Sequence, residues 1–290
     1  MGLEKSSCCK VNLLLNILGR RPDGFHELET VMQPVNLCDT LRLERCDSGL
    51  QLTCNDPRLP VDGANLVHRA ATAFLAAAKI SEGAMIHLEK RIPLAAGLGG
   101  GSGNAAATLL GLNELFGRPL SDARLTDLAA ALGSDVPFFL QDQPALALGR
   151  GEQVTRLAPF AALQGKGLLL IHPGFGVSTA WAYGALKQFP EALNGRPGRA
   201  AALIAALRQS DFSAAAGQLY NSLEAPVLRK HPLLAIYQEF LREHGALAAL
   251  MSGSGSTTFA ITASPDNARG LEERVREKFG PHLWTAALAV

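Results

Sequence analysis

Two spacings of apolar residues divide the chain. Alternation of apolar and polar positions predicts strands over 8–18 (CCKVNLLLNIL), 25–45 (FHELETVMQPVNLCDTLRLER, with a bend at Pro34), 49–54 (GLQLTC) and 85–92 (MIHLEKRI, stopped by Pro93). GRRPDG (19–24) is a turn cluster and NDPRLPVDG (55–63) a loop. Steps of three and four predict a helix over 65–78, with Leu66, Ala70, Ala73, Phe74 and Ala77 on one face. A second runs from Ala105 to Leu115, ended by Gly117 and Pro119. Ser121 can cap a third, which Gly133 ends, and VPFFL after Asp135 reads as an apolar strand. Residues 145–157 read as a hairpin turning at Gly149 to Gly151.

PFAALQGKG (159–167) is a candidate junction, so one domain is expected over 1–158 and a second over 159–290. Beyond it LLLI is a short buried strand, and Ser178 or Thr179 can cap a helix carrying Trp181 and Tyr183. Residues 189–200 read as exposed loop, followed by alanine-rich helices near 199–209, 212–220 and 232–243. MSGSGSTTFAIT (251–262) is a glycine-serine loop entering a strand, and a helix (265–278) and a strand (284–290) close the chain.

Composition narrows the class. The chain has 290 residues, 48% hydrophobic and 18% charged, enough for the core of one large or two ordinary domains. Lys plus Arg is 27 against 26 Asp plus Glu, so bulk charge favours neither nucleic acid nor an anionic membrane. No apolar run approaches 18 residues, and MGLEKSSCCK does not read as a leader. Gly2 with Ser6 matches a myristoylation pattern, set aside because a strand begins so soon after it. The five cysteines, Cys8, Cys9, Cys38, Cys46 and Cys54, form no CxxC and have no histidine at zinc-ligand spacing. An odd number without an export signal predicts free thiols acting as small buried hydrophobes in a reducing cytoplasm, with no metal site among them.

The stretch with most chemistry in it is PLAAGLGGGSGNAAA (93–107). It reads as strand, glycine loop, helix. Glycines let backbone N–H groups turn inward, and a helix start adds unpaired N–H groups and partial positive charge. Together they make an anion site, most often for phosphate. A Walker A loop is excluded, because no lysine follows the glycines. Gly101, Gly103 and Ala106 fit a dinucleotide GxGxxA pattern, but five glycines in seven positions match many patterns, and Pro93 interrupts the approach. Two other features carry possible chemistry. Lys10 and Asn12 share a face of the first strand and need partners if covered. Asp135 is a single carboxylate after a helix stop, where turn and cap residues are also common.

PxxxGLGGGS resembles the phosphate loop of the GHMP kinases (galactose, homoserine, mevalonate and phosphomevalonate kinases). CKVNLLLNILGRRPDGFHELETVMQPV, RIPLAAGLGGGSGNAAATL, LGSDVPFFL, HPGFGVSTAWAY and SGSGSTTF extend the resemblance in order over almost the whole chain. The resemblance implies a two-domain α+β fold with its active site in the inter-domain cleft. It implies ATP-dependent phosphorylation, with Mg²⁺, of the 2-hydroxyl of 4-diphosphocytidyl-2-C-methyl-D-erythritol, a small molecule bearing cytidine diphosphate, in the non-mevalonate isoprenoid pathway of the cytoplasm. Carried over by motif, Asp135 is the catalytic base and Lys10 its neighbour. Pro93, Leu94, Ala95, Ala96, Gly97, Leu98, Gly99, Gly100, Gly101, Ser102 and Gly103 wrap the ATP phosphates, with the late SGSG loop against them. Asn65 and Lys90 lie at the nucleoside of ATP. Phe25, His26 and Tyr183 line a cytidine pocket, and Asn12 lies beside the substrate hydroxyls.

Three positions depart from the family pattern. Gly103 stands where serine is usual, Phe25 where tyrosine is common, and Cys9 where alanine is common. The first removes a hydroxyl near the phosphates, so serine at 103 is expected to be tolerated or to improve Mg·ATP affinity unless the position needs a positive φ. Two other functions compete: a GHMP kinase acting on homoserine or a mevalonate relative, and a non-catalytic nucleotide-binding module on the same fold. The presence of both Lys10 and Asp135 favours catalysis.

Overall fold

A computed structural model describes residues 2–290. In chain order its strands are β1 (Leu3–Arg20), β2 (His26–Cys46), β3 (Leu50–Cys54), β4 (Gly83–Glu89), β5 (Ala145–Gly149), β6 (Gln153–Arg156), β7 (Gly167–His172), β8 (Tyr220–Asn221), β9 (Ala248–Met251), β10 (Thr258–Thr262) and β11 (Trp284–Ala289). The helices are α1 (Leu66–Ala78), α2 (Gly100–Leu115), α3 (Asp122–Leu132), α4 (Thr179–Ala185), α5 (Pro190–Leu193), α6 (Arg199–Leu207), α7 (Ser213–Ala216), α8 (Glu224–Lys230), α9 (Leu233–Glu243) and α10 (Pro265–Phe279).

Contacts group these residues into two compact units. One holds the chain up to Cys9, Leu37–Pro93 and Gly99–Asp142; the other holds Lys10–Asn36, Leu94–Leu98 and Gln143–Val290. The units therefore interleave in sequence, where the sequence reading cuts once after residue 158. The reason lies in β1 and β2, which run 18 and 21 residues. Strands usually span five or six residues, so each of these gives its two ends to different units.

In the first unit the second half of β2 pairs antiparallel with β4, from Thr40 opposite Glu89 to Cys46 opposite Gly83, and β4 pairs parallel with β3. Leu41 and Leu43 face Leu88 and Ile86 across this ladder, and all four are buried with Phe74 of α1 and Leu109 and Leu112 of α2. The alternation read from the sequence is thus the phase of the sheet that these helices cover. Asn65 caps α1 by accepting from Val67 N, and Ser121 caps α3 by accepting from Arg124 N. α2 begins inside the glycine run: Gly99 is its N-cap at φ 72°, and Gly100, Gly101 and Gly103 are helical. VPFFL is not a strand. Pro137–Leu140 form a 3₁₀ turn, with Val136 N donating to Gly133 O and Phe139 N to Val136 O, and Val136, Phe139 and Leu140 pack on the helical core.

The cysteine expectation is also corrected. Cys8 and Cys38 form a disulfide between β1 and β2, while Cys9, Cys46 and Cys54 stay outside any disulfide. The two sulfurs are 30 residues apart in sequence, and only the meeting of the two strands brings them together.

In the second unit the start of β2 pairs antiparallel with β5, which turns into β6, and β1 pairs parallel with β8 at Leu14 and Leu15. Pro34 does not interrupt β2. It falls between the ladder to β5, which ends at Met32, and the ladder to β4, which begins at Thr40, so no N–H is missed in either. A separate four-stranded sheet runs β11-β7-β10-β9. Leu169, Ile171 and Ala260 from this sheet and Leu234, Tyr237 and Leu241 of α9 are buried in the unit's core. α5 occupies part of the expected 189–200 loop, and α8 lies where no helix is predicted. Pro226 masks α8 in the sequence, although the first turn of a helix tolerates proline.

Candidate active site

Each unit holds some of the residues expected at the site. In the first, the start of α2 stands over a buried polar cluster. Lys90 Nζ donates to the Asp39 carboxylate and, at 3.0 Å, to Asn104 Oδ1. Asn104 Nδ2 donates to Asp39 and to Ser7 Oγ, both at 2.9 Å. The Lys90 side chain is only 5% exposed, and a Cβ on Gly100 would lie 3.3 Å from its ammonium. The lysine therefore sits beneath the helix start with its charge paired to Asp39. Asn65 is buried, its Oδ1 accepting from Val67 N and its Nδ2 donating to Pro60 O, so both ends of its amide are engaged. Gly101, one residue into the helix, approaches Leu66 beside it. Asp135 lies in the turn between α3 and the 3₁₀ segment and is half-buried.

Gly103 is helical, and its glycine answers to space. A Cβ there would come within 3.0 Å of Ser7 Oγ and 3.1 Å of Cys8 O. Its φ is outside the left-handed region, so the reservation about positive φ does not apply.

The second unit gathers Lys10, Asn12 and Leu94–Leu98 with the late glycine-serine loop. Lys10 is 2% exposed; its N–H donates to Leu98 O, and its ammonium donates to Gly97 O at 2.9 Å and to Asn12 Oδ1. Asn12 Nδ2 in turn donates to Thr30 Oγ1. Ser252 Oγ donates to the same Gly97 O at 3.0 Å, and Thr257 N donates to Ala96 O. Gly97 has φ 76°, and a Cβ there would stand 2.1 Å from Ser252 O. No other residue would allow this approach. The late loop is held from below by Asn221, whose amide donates to Met251 O and Gly253 O.

The residues expected on the substrate side also fall in this unit. His26 and Tyr183 place their ring centroids 5.1 Å apart, tilted 42°. Burial, with Arg20 nearby, pushes the His26 pKa down, so near neutral pH the ring is an uncharged donor–acceptor. Phe25 is half exposed, with the Arg150 guanidinium 4.6 Å from its ring centroid. Sequence reasoning missed Asp39, Asn104, Ser7, Asn221, Thr30 and Arg150. Among the described residues no group of three or more His, Cys, Asp or Glu is placed to hold a metal ion, and no helix is long and apolar enough to cross a membrane.

Comparison with known proteins adds to this geometry. Residues 65–150 match the GHMP kinases N terminal domain and residues 200–281 the GHMP kinases C terminal domain. A protein of Pelotomaculum thermopropionicum named 4-diphosphocytidyl-2-C-methyl-D-erythritol kinase is 46% identical over 92% of this chain and 91% of its own. The chain belongs to the GHMP kinases. A Geobacter relative of the same name is 39% identical over 98% of this chain and 97% of its own. A crystal structure of 4-(cytidine 5'-diphospho)-2C-methyl-D-erythritol kinase superposes with TM-score 0.79 at 37% identity, covering 99% of this chain and 100% of that one. Homoserine kinase from Cytophaga hutchinsonii superposes with TM-score 0.77 at 22% identity, a likeness of fold alone. Membership in the GHMP kinases carries ATP as the phosphate donor.

Proposed function

We propose that this GHMP kinase transfers the γ-phosphoryl group of ATP to the 2-hydroxyl of 4-diphosphocytidyl-2-C-methyl-D-erythritol, in the non-mevalonate isoprenoid pathway of the cytoplasm. The observation that carries the reading is Lys10: a buried ammonium bonded to Gly97 O inside the glycine stretch, with Asn12 beside it. That arrangement brings a fixed positive charge to the loop that would wrap the phosphates, Pro93 to Gly103. The shared name of relatives covering nine-tenths or more of the chain supports the choice of substrate.

Phosphoryl transfer passes through a loose transition state, so catalysis is positioning and charge stabilisation. The N–H groups at the start of α2 face the donor's phosphates, with Asn65 and Lys90 on the nucleoside side. Asp135 orients the acceptor hydroxyl. An alcohol is far less acidic than a carboxylic acid, so Asp135 takes the proton late, as the new P–O bond forms. Lys10 offsets negative charge on the group in flight. Mg²⁺ usually keeps several waters and is bound largely through the phosphate oxygens of its nucleotide. Ser102, in the first turn of α2, is the side chain that would complete its shell. The metal, when bound, neutralises charge on the β- and γ-phosphates. Asn12, Phe25, His26 and Tyr183 take the acceptor.

The test is ADP release with the cytidyl compound, homoserine and mevalonate offered in parallel. The cytidyl compound is expected to be turned over far faster than the others; preference for homoserine or mevalonate overturns the substrate. Asp135→Asn is expected to keep ATP binding and lose about 10²–10⁴ in turnover. Turnover within a few-fold of wild type would remove Asp135 as the base.

A further inference from the structure

We propose that Asp39 is the positioning residue of the nucleotide loop, resting on the reading of that loop as an ATP site. Its carboxylate is fully buried and accepts four hydrogen bonds. One oxygen takes Arg91 N at 2.7 Å and Ile92 N at 2.9 Å; the other takes Lys90 Nζ and, at 2.9 Å, Asn104 Nδ2. These donors come from two places in the sequence. Lys90, Arg91 and Ile92 immediately precede Pro93, and Asn104 immediately follows Gly103. One side chain thus ties both ends of PLAAGLGGGSG.

A glycine-rich loop loses more freedom on ordering than any other. Anchoring both of its ends before nucleotide arrives removes part of that cost from binding. The sequence context argues against a purely structural carboxylate. Asp39 shares the buried phase of β2 with Leu41 and Leu43, where an apolar residue would extend the core. Replacing buried ionic groups by apolar ones is often neutral or stabilising, so stability gives little reason for an acid here. Asp39 also fixes the ammonium of Lys90 under Gly100. Ser7 completes the set by holding Asn104 from β1.

Asn at position 39 can still accept from the two main-chain amides but sets its own NH₂ against Lys90 and Asn104. The test titrates Asp39→Asn with the non-hydrolysable analogue adenylyl imidodiphosphate, without acceptor, and then measures steady-state kinetics. The expected result is analogue affinity and KM for ATP weakened about tenfold, the scale of one lost charge-assisted hydrogen bond. KM for the acceptor, and kcat at saturating ATP, stay within about threefold on the same scale. A lowered melting temperature with unchanged analogue affinity overturns the proposal. Because Asp39→Asn leaves the buried Lys90 without its carboxylate, the change is also made in a Lys90→Met background and compared with Lys90→Met alone. A further loss in analogue affinity of about threefold or more is expected; no further loss overturns the proposal. Wild-type protein that binds the analogue but ignores the cytidyl compound would remove the proposed substrate and leave this inference standing.

Discussion

Asn221 holds Gly253 by its carbonyl oxygen at 2.8 Å, and the same amide takes Met251 O at 2.7 Å. Its Oδ1 accepts from Leu223 N at 2.9 Å, so every polar atom of this buried side chain is used on main chain. The consequence reaches the glycine stretch, because the held loop is the one whose Ser252 Oγ and Lys10-facing Gly253 meet Gly97. Asn221→Ala leaves two buried carbonyls unpaired, at about 1–3 kcal/mol each. Asn221→Asp sets a carboxylate against those carbonyls and is expected to be at least as damaging. Urea melts check the stability loss, and ATP titration checks a loss of nucleotide affinity in whichever variant remains folded.

The glycines of the loop are not alike. Gly97→Ala forces a left-handed φ on alanine, about 1–3 kcal/mol of strain, and drives Cβ into Ser252 O. ATP affinity is expected to fall at least about tenfold. Gly103→Ser meets Ser7 Oγ and Cys8 O at 3.0 and 3.1 Å from helical backbone, so α2 has to move off β1 by a few tenths of an ångström. Overpacking of this kind costs about 1–3 kcal/mol. The added hydroxyl is therefore expected to bring no gain in Mg·ATP affinity. A melting temperature and an ATP affinity at or above wild type would show that the helix yields freely.

The Cys8–Cys38 bridge closes a loop of 30 residues, and closing such a loop is worth about 2–4 kcal/mol against the unfolded chain. Cys8→Ser with Cys38→Ser is expected to lower stability by that amount without abolishing turnover. Thiol titration of the denatured, unreduced protein should find three thiols, from Cys9, Cys46 and Cys54. Five would mean that the bridge is absent in solution.

Much of the frame could be read in advance. The strands before residue 54, the caps at Asn65, Ser121 and Ser178, and the glycine-to-helix passage follow from period and cap chemistry. The misses share a cause. Asp39 stands in the apolar phase of β2, a signal present in NLCDTLRL, but its partners at 90–92 and 104 are supplied by the tertiary fold. Asn221 lies in a strand of two residues, too short to show a period. VPFFL is as apolar as a strand, and only the turn bonds after Gly133 decide against one. Lys10 and Asn12 were legible as a pair sharing a face, whereas their partner Gly97 is 87 residues from Lys10 and is supplied by the tertiary fold.

The acceptor side gives the last prediction. Phe25 offers an exposed ring with one face already taken by the Arg150 guanidinium, and His26 and Tyr183 stand together 5.1 Å apart. A pyrimidine stacked on an aromatic ring gains about 1–3 kcal/mol, whatever its identity. Discrimination must come from polar contacts, and a neutral His26 presents one donor and one acceptor nitrogen. A site whose buried polar groups stay unpaired with the wrong edge rejects it strongly. CDP is therefore expected to compete with the acceptor better than UDP, and Phe25→Ala to raise KM for the cytidyl compound by about 5–150-fold, the range of the lost stacking, with ATP affinity unchanged. Arg150→Ala uncovers the far face of Phe25 and loses a cation–π contact worth about 0.5–1 kcal/mol at an exposed site, so its effect on the same KM is smaller and in the same direction. Equal competition by CDP and UDP, or phosphorylation of free methylerythritol phosphate as fast as of the cytidyl compound, would move the cytosine away from Phe25, His26 and Tyr183.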